Sequence, residues 1–82
     1  MKKKIREFIM ENLVIYEKGV SFKDDDDIFA LGFVDSMFAL KLVTFVEGEY
    51  GVAVQNEDLD RKNFQSVDSI AAFVERKQKR AS

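Results

Sequence analysis

The chain has 82 residues, of which 46% are apolar and 34% are charged, and its formal net charge is −2. A chain of this length forms one small domain, which buries roughly 60% of its unfolded surface. The sequence has no cysteine and no histidine, which excludes disulfides, the usual zinc sites and a Ser-His-Asp triad. No apolar run approaches the roughly 20 residues that span a membrane, so we expect one cytoplasmic domain over residues 1–82.

Charge is distributed unevenly along the chain. Residues 1–16 carry four basic and two acidic side chains, residues 17–60 carry three basic and eleven acidic, and residues 61–82 carry six basic and two acidic. The middle segment is therefore strongly acidic. Such a segment attracts basic partners and repels nucleic acid, although an acidic surface also simply keeps a small protein in solution.

The first predicted element is an amphipathic helix over residues 3–17. Its apolar side chains recur every three or four residues and so share one face: Ile5, Phe8, Ile9, Leu13 and Tyr16. Gly19 is expected to end this helix, because glycine readily takes the left-handed conformation at a helix C-terminus.

Residues 20–34 have neither a helical nor an alternating period, which predicts a long irregular loop. Four apolar side chains are expected to anchor this loop on the core: Phe22, Ile28, Phe29 and Leu31.

Four consecutive aspartates occupy positions 24–27 of the loop. An EF-hand loop beginning there would need glycine at its sixth position and glutamate at its twelfth, where this chain has Phe29 and Asp35. We therefore predict no metal site, and instead a solvated turn in which aspartates accept hydrogen bonds from nearby backbone amides.

The second predicted helix covers residues 36–50. A projection at 100° per residue places seven of its side chains within an arc of about 160°: Phe38, Ala39, Leu42, Val43, Phe45, Val46 and Tyr50. Met37 falls on the polar side, either as an adaptable partner contact or as an ordinary exposed apolar residue.

The remainder of the chain predicts one short helical turn and a last helix. Asn56 is the expected cap of the short turn, Leu59 is its apolar anchor, and Phe64 is expected to pack alone. Ser66 is expected to cap the last helix, whose buried stripe would consist of Val67, Ile70, Ala71 and Val74. The predicted fold is all-α, with three main helices, one short helical turn and one long ordered loop.

Ser36 begins the second helix, and three interpretations of it compete. Asp35 or Ser36 caps the helix. Alternatively, Ser36 is a nucleophile, with Lys41 or a carboxylate as its base because histidine is absent. In the third interpretation Ser36 is a point of attachment, since a helix N-terminus accommodates a phosphate. The Asp-Ser-apolar triplet does not decide alone, because residues 68–70 repeat it.

Residues 28–37 read Ile-Phe-Ala-Leu-Gly-Phe-Val-Asp-Ser-Met. This segment resembles the modification motif of acyl carrier and peptidyl carrier proteins, in which an Asp-Ser-Leu triplet follows a leucine-glycine turn, and the predicted helix order agrees along the whole chain. The resemblance implies a small four-helix bundle that performs no catalysis. Its serine would receive 4′-phosphopantetheine from coenzyme A and then hold cargo as a thioester on that arm.

The same resemblance implies the partners of the chain. A phosphopantetheinyl transferase would attach the arm, an acyl- or aminoacyl-loading enzyme would charge it, and a downstream synthase or transferase would unload it. We expect the carrier to be a monomer, and from the residues themselves we expect it to bind no membrane, nucleic acid or metal. Carried over by position, Ser36 is the cofactor-binding residue. The expected partner-recognition residues are Asp35, Met37, Lys41, Glu47 and Glu49.

Departures from the family pattern suggest a subtype. Residues 38–41 read Phe-Ala-Leu-Lys, where fatty-acid carriers tend to be acidic, and Phe38 and Phe45 are expected to leave little room inside the bundle for a long acyl chain. Residues 33–40, 56–60 and 63–68 are similar to discrete carriers of hydroxy-, methoxy- or amino-malonyl extender units in polyketide and hybrid nonribosomal peptide pathways. A fatty-acid-type carrier, a D-alanyl or other aminoacyl carrier, and a helical interaction adaptor remain alternatives.

Overall fold

The computed structural model describes residues 1–13 and 21–81. These residues form four α-helices and one 3-10 turn, in the order α1 (Lys2–Glu11), α2 (Ser36–Tyr50), the 3-10 turn (Asn56–Asp58), α3 (Arg61–Phe64) and α4 (Val67–Ala81). No β-strand occurs within those two ranges, so the predicted all-α bundle with a long loop after α1 is confirmed. None of the described helices is long and apolar enough to cross a membrane.

Helix α1 is shorter than predicted, because Asn12 ends it. The Asn12 side chain donates a hydrogen bond to the Phe8 carbonyl at 2.8 Å, which is the acceptor that a continuing helix would offer to the Asn12 backbone amide. That amide bonds the Ile9 carbonyl instead. Leu13 still packs half-buried against the core from its non-helical position. Tyr16 and Gly19, the predicted last contact and stop of this helix, lie outside the described residues.

The loop over residues 21–34 is irregular, as predicted, and Phe22, Ile28 and Val34 hold it on the core. Leu31 is 50% exposed, so its predicted role as an anchor is wrong. Its amide bonds the Asp27 carbonyl in a tight turn, and this turn directs Ile28 inward and Leu31 outward. The sequence shows that Leu31 is apolar, but it does not show in which direction a side chain points within a turn.

Helix α2 has the predicted bounds and the predicted buried face. Phe38, Leu42 and Val46 are buried, with half-buried side chains on either side of them: Ala39, Val43, Phe45 and Tyr50. The Phe8 ring of α1 stacks on Phe45 with centroids 4.3 Å apart and lies 5.6 Å from Phe38. Helix α2 ends at Gly51, which has the left-handed φ of 65° that favours glycine.

Two predictions for the segment after α2 are wrong. The N-cap of the 3-10 turn is Gln55 rather than Asn56, because Gln55 and Asp58 exchange hydrogen bonds in a capping box. Leu59 is 57% exposed and anchors nothing. Helix α3, which Asp60 caps, was not predicted, since four residues are too few to show a helical period.

Helix α4 packs against α1 and α3. The Ser66 hydroxyl accepts a hydrogen bond from the Ser69 amide at 3.0 Å, which confirms the predicted cap. The predicted stripe is buried, and Phe73, which was not predicted, is buried beside it. The rings of Phe73 and Phe64 lie 5.1 Å apart, so Phe64 joins α3 to α4.

Candidate functional site

Ser36 lies at the first position of α2 with an exposed side chain. Asp35 is the N-cap, with an extended backbone and a side chain that accepts a hydrogen bond from the Phe38 amide at 3.1 Å. The capping role therefore belongs to Asp35. Within residues 1–13 and 21–81, no hydrogen bond involves the Ser36 hydroxyl, which leaves this group available to another molecule.

Among the described residues, no side chain is hydrogen-bonded to Ser36 as a base would be. Lys41 lines a different groove of α2 from the one that Ser36 lines, and no described carboxylate is hydrogen-bonded to the Ser36 hydroxyl. A serine acts as a nucleophile when an adjacent base takes its proton. The described part of the chain also holds no group of three potential metal ligands.

A cavity of about 500 Å³ opens beside Ser36, between α2 and the segment that contains the 3-10 turn and α3. We call it the Ser36 groove. Apolar side chains form most of its wall: Phe29, Val34, Ala39, Leu40, Val43, Leu59 and Phe64. Leu40 and Leu59 are 70% and 57% exposed. This groove was not predicted, because the sequence indicates only anchoring roles for Leu59 and Phe64 and no role for Leu40.

The Ser36 groove also bears on the predicted shortage of space in the bundle. Phe38 and Phe45 pack with Phe8, and neither of them lines the Ser36 groove. Aromatic rings thus form the contact between α1 and α2. Space for a bound group lies on another side of α2, open to solvent and next to Ser36.

Asp27 fixes one end of the Ser36 groove. Its Oδ1 accepts hydrogen bonds from the amides of Phe29 and Ala30, both at 3.0 Å, and its Oδ2 accepts one from the Arg61 guanidinium at 2.8 Å. Burial raises the pKa of Asp27, but the bonds from the Ala30 amide and from Arg61 outweigh this effect, so the pKa is lowered overall. Asp27 thereby connects the loop to α3. Its bonds from the backbone amides of Phe29 and Ala30 were predicted, and its bond from Arg61 was not.

The predicted partner-recognition residues differ in what they contact. Met37 is 64% exposed, and Lys41 is exposed without an ion pair to any described residue. By contrast, Glu47 accepts a hydrogen bond from the Val54 amide at 3.1 Å, and Glu49 pairs with Lys4 of α1. The hydrogen bond to Glu49 raises the pKa of Lys4. Both glutamates therefore have partners within the chain, which the sequence did not reveal.

Comparison with known proteins identifies the class of protein that has this fold and site. The family described as phosphopantetheine attachment site matches residues 3–74. The chain therefore belongs to this family of acyl and peptidyl carrier proteins, as its motif indicated. Its cofactor is a covalently attached 4′-phosphopantetheine, and it functions as a carrier that interacts with modifying and loading enzymes, the phosphopantetheinyl transferase among them.

Individual relatives are similar over about two thirds of the chain. D-alanyl carrier proteins from Lactococcus lactis subsp. cremoris and Lactococcus lactis subsp. lactis are each 34% identical over 53 residues, which cover 65% of this chain and 67% of theirs.

The structure of α2 fits this cofactor. A hydroxyl that is exposed and unbonded among the described residues is what attachment of a phosphodiester requires. The start of α2 has backbone amides without a helical partner and a partial positive charge, both of which favour a phosphate. The open apolar wall of the Ser36 groove offers a surface on which the apolar part of a flexible arm can lie.

Proposed function

We propose that Ser36 is the residue to which the 4′-phosphopantetheine arm is attached, and that residues 1–82 act as one carrier domain without catalytic activity. The observation that carries this proposal is the exposed Ser36 hydroxyl, which has no hydrogen bond among the described residues although it stands at the start of a capped helix. When bound, the arm supplies a terminal thiol that holds the cargo as a thioester.

The neighbouring residues have distinct roles in this proposal. Asp35 keeps the first turn of α2 formed, so that Ser36 is presented in one geometry to the modifying enzyme. Met37 and Lys41 contact partner enzymes directly, because they are exposed beside Ser36 and at the next turn of α2. Glu47 and Glu49 remain predicted recognition residues, but a partner would have to compete with Val54 and Lys4 for their carboxylates.

For the cargo we propose a small acyl or aminoacyl group, with an aminoacyl group such as D-alanyl first. The similarity to D-alanyl carrier proteins supports this choice. The charges of the Ser36 groove support it as well: Arg61, its one cationic lining residue, is paired with Asp27. Asp35 contributes a carboxylate, and Asp60 contributes a second one, which also lies 3.8 Å from the Lys62 ammonium. An ammonium group therefore finds a counter-charge there more readily than a carboxylate does.

A malonyl-type extender unit of a polyketide or hybrid peptide pathway is the second candidate cargo. The resemblance of residues 33–40, 56–60 and 63–68 to discrete carriers of such units favours it. The two candidates separate in a loading experiment. The protein carrying its arm is offered D-alanine with the enzyme that loads the Lactococcus lactis carriers, and malonyl groups with a malonyl-loading enzyme, and each mixture is analysed by intact mass.

Attachment at Ser36 is tested by incubating the unmodified protein with coenzyme A, magnesium and a promiscuous phosphopantetheinyl transferase. We expect the intact mass to increase by one phosphopantetheinyl group, and the increase to disappear in Ser36→Ala. The matched control is Ser69→Ala, which alters the other Asp-Ser-apolar triplet and should be modified normally. An equal increase in Ser36→Ala would contradict the assignment of the site. No increase in the unaltered protein would favour the adaptor alternative, in which charge reversal at positions 24–27 abolishes partner binding.

A further inference from the structure

A second groove lies between α1 and α2. It has a volume of about 470 Å³, and its walls are formed by five side chains: Phe8, Leu40, Lys41, Thr44 and Phe45. We call it the Lys41 groove. It shares only Leu40 with the Ser36 groove, so the two grooves flank one exposed strip of α2.

The walls of the Lys41 groove are apolar apart from one cation. Phe8 and Phe45 stack with an interplanar angle of 13°, and Leu40 is more exposed than any other large apolar side chain described. The Thr44 hydroxyl donates a hydrogen bond to the Leu40 carbonyl of its own helix at 3.1 Å. Among the side chains that line this groove, the Lys41 ammonium is therefore the polar group available to bind another molecule.

Lys41 keeps its charge uncompensated among the described residues, whereas several other cations of the bundle are paired. Lys4 pairs with Glu49, Arg61 pairs with Asp27, and Lys77 lies 2.7 Å from Asp58. A free cation above an apolar wall is complementary to a carboxylate next to a bulky apolar side chain. It also repels a basic segment, so it selects against partners that recognise an acidic helix.

We propose that the Lys41 groove is a docking site for a partner-enzyme segment that presents a carboxylate beside a large apolar side chain. Burial of Leu40 and of the Phe8–Phe45 stack supplies the affinity, because removal of apolar surface from water is the main driving force of association. The ion pair with Lys41 supplies the choice of partner and orients the segment on α2. This inference rests on the proposed function in one respect, that Lys41 contacts partner enzymes. It does not require that Ser36 be modified, so it can be tested separately from attachment of the arm.

The probe is a pair of short synthetic helical peptides. Both peptides carry a tryptophan. One helical turn away from it, the first peptide has a glutamate and the second has a lysine. Each is titrated into the unmodified ¹⁵N-labelled protein while amide chemical shifts are followed. We expect the glutamate peptide to shift the amides that surround the Lys41 groove, and to bind about two- to five-fold more tightly than the lysine peptide, the effect of one exposed ion pair.

Charge variants of the carrier make the test specific. Lys41→Glu should reverse the preference between the two peptides, and Lys41→Met should abolish it while binding persists. The matched control is Lys23→Glu, which makes the same charge change at an exposed loop lysine outside the groove and should leave the preference intact. The absence of shifts with both peptides, equal affinities for the two peptides, shifts centred on the Ser36 groove, or a preference that survives Lys41→Glu would each overturn the proposal.

Discussion

The Asp35 side chain both caps α2 and lies next to Ser36. Two substitutions of Asp35 therefore separate its contribution to the stability of α2 from its contribution to recognition of Ser36. In Asp35→Ala the Phe38 amide loses its side-chain acceptor, at a cost of about 1 kcal/mol for an N-cap. In a domain of this size, 1 kcal/mol lowers Tm by roughly 4–8 °C. Asp35→Asn retains an oxygen that can accept the same bond, so only the interaction of its charge with the helix dipole is lost, about 0.3–1 kcal/mol.

The two variants are compared by thermal unfolding and by the rate of modification at a temperature where both are folded. We expect Asp35→Ala to lose more stability than Asp35→Asn, because Asp35→Ala loses both the hydrogen bond and the interaction of the charge with the helix dipole, and Asp35→Asn loses only the second. If the transferase reads the Asp35 charge, as the motif implies, both variants will be modified slowly. An unchanged Tm in Asp35→Ala, or equal losses of stability in the two variants, would refute the capping argument.

Two further predictions concern the core and the loop. Phe38 is 2% exposed, so Phe38→Ala should lower the free energy of unfolding by about 3–5 kcal/mol in urea titrations, and a loss below 1 kcal/mol would contradict its place in the core. Because the folded-state pKa of Asp27 is lowered, its charge stabilises the fold above the unfolded pKa of about 3.9. That contribution is lost as the pH falls through the folded-state value. Asp27→Asn should therefore be less stable than the unaltered protein at neutral pH, and the difference in Tm should shrink towards pH 2; a difference that is constant with pH would refute this.

The sequence predicted α2 well because two strong signals coincide there. The apolar period runs without interruption from Phe38 to Val46, and the segment is bounded by a capping residue, Asp35, and by Gly51. Helix α1 shows the limit of the same method. Leu13 continues the apolar period and is half-buried, yet it is not helical, because the period reports burial and the Asn12 side chain ends the helix.

The site was predictable in part for similar reasons. Ser36 is marked by a local motif, and its exposure follows from its position at the start of α2. The Ser36 groove is formed by residues far apart in the chain, such as Phe29 and Phe64, and no local signal shows that they meet. The internal partners of Glu47 and Glu49 depend on tertiary contacts with Val54 and Lys4, which no local pattern in the sequence indicates.

Leu40 stands between the two grooves of α2 and contributes to the wall of both. If the arm lies against one side of this residue and a partner segment against the other, the two binding events are thermodynamically linked. If the bound arm changes the affinity of the carrier for the partner by some factor, the bound partner changes the affinity of the groove for the arm by the same factor. Binding of the receiving enzyme on one side of Leu40 would then change how tightly the arm and its cargo are held on the other side.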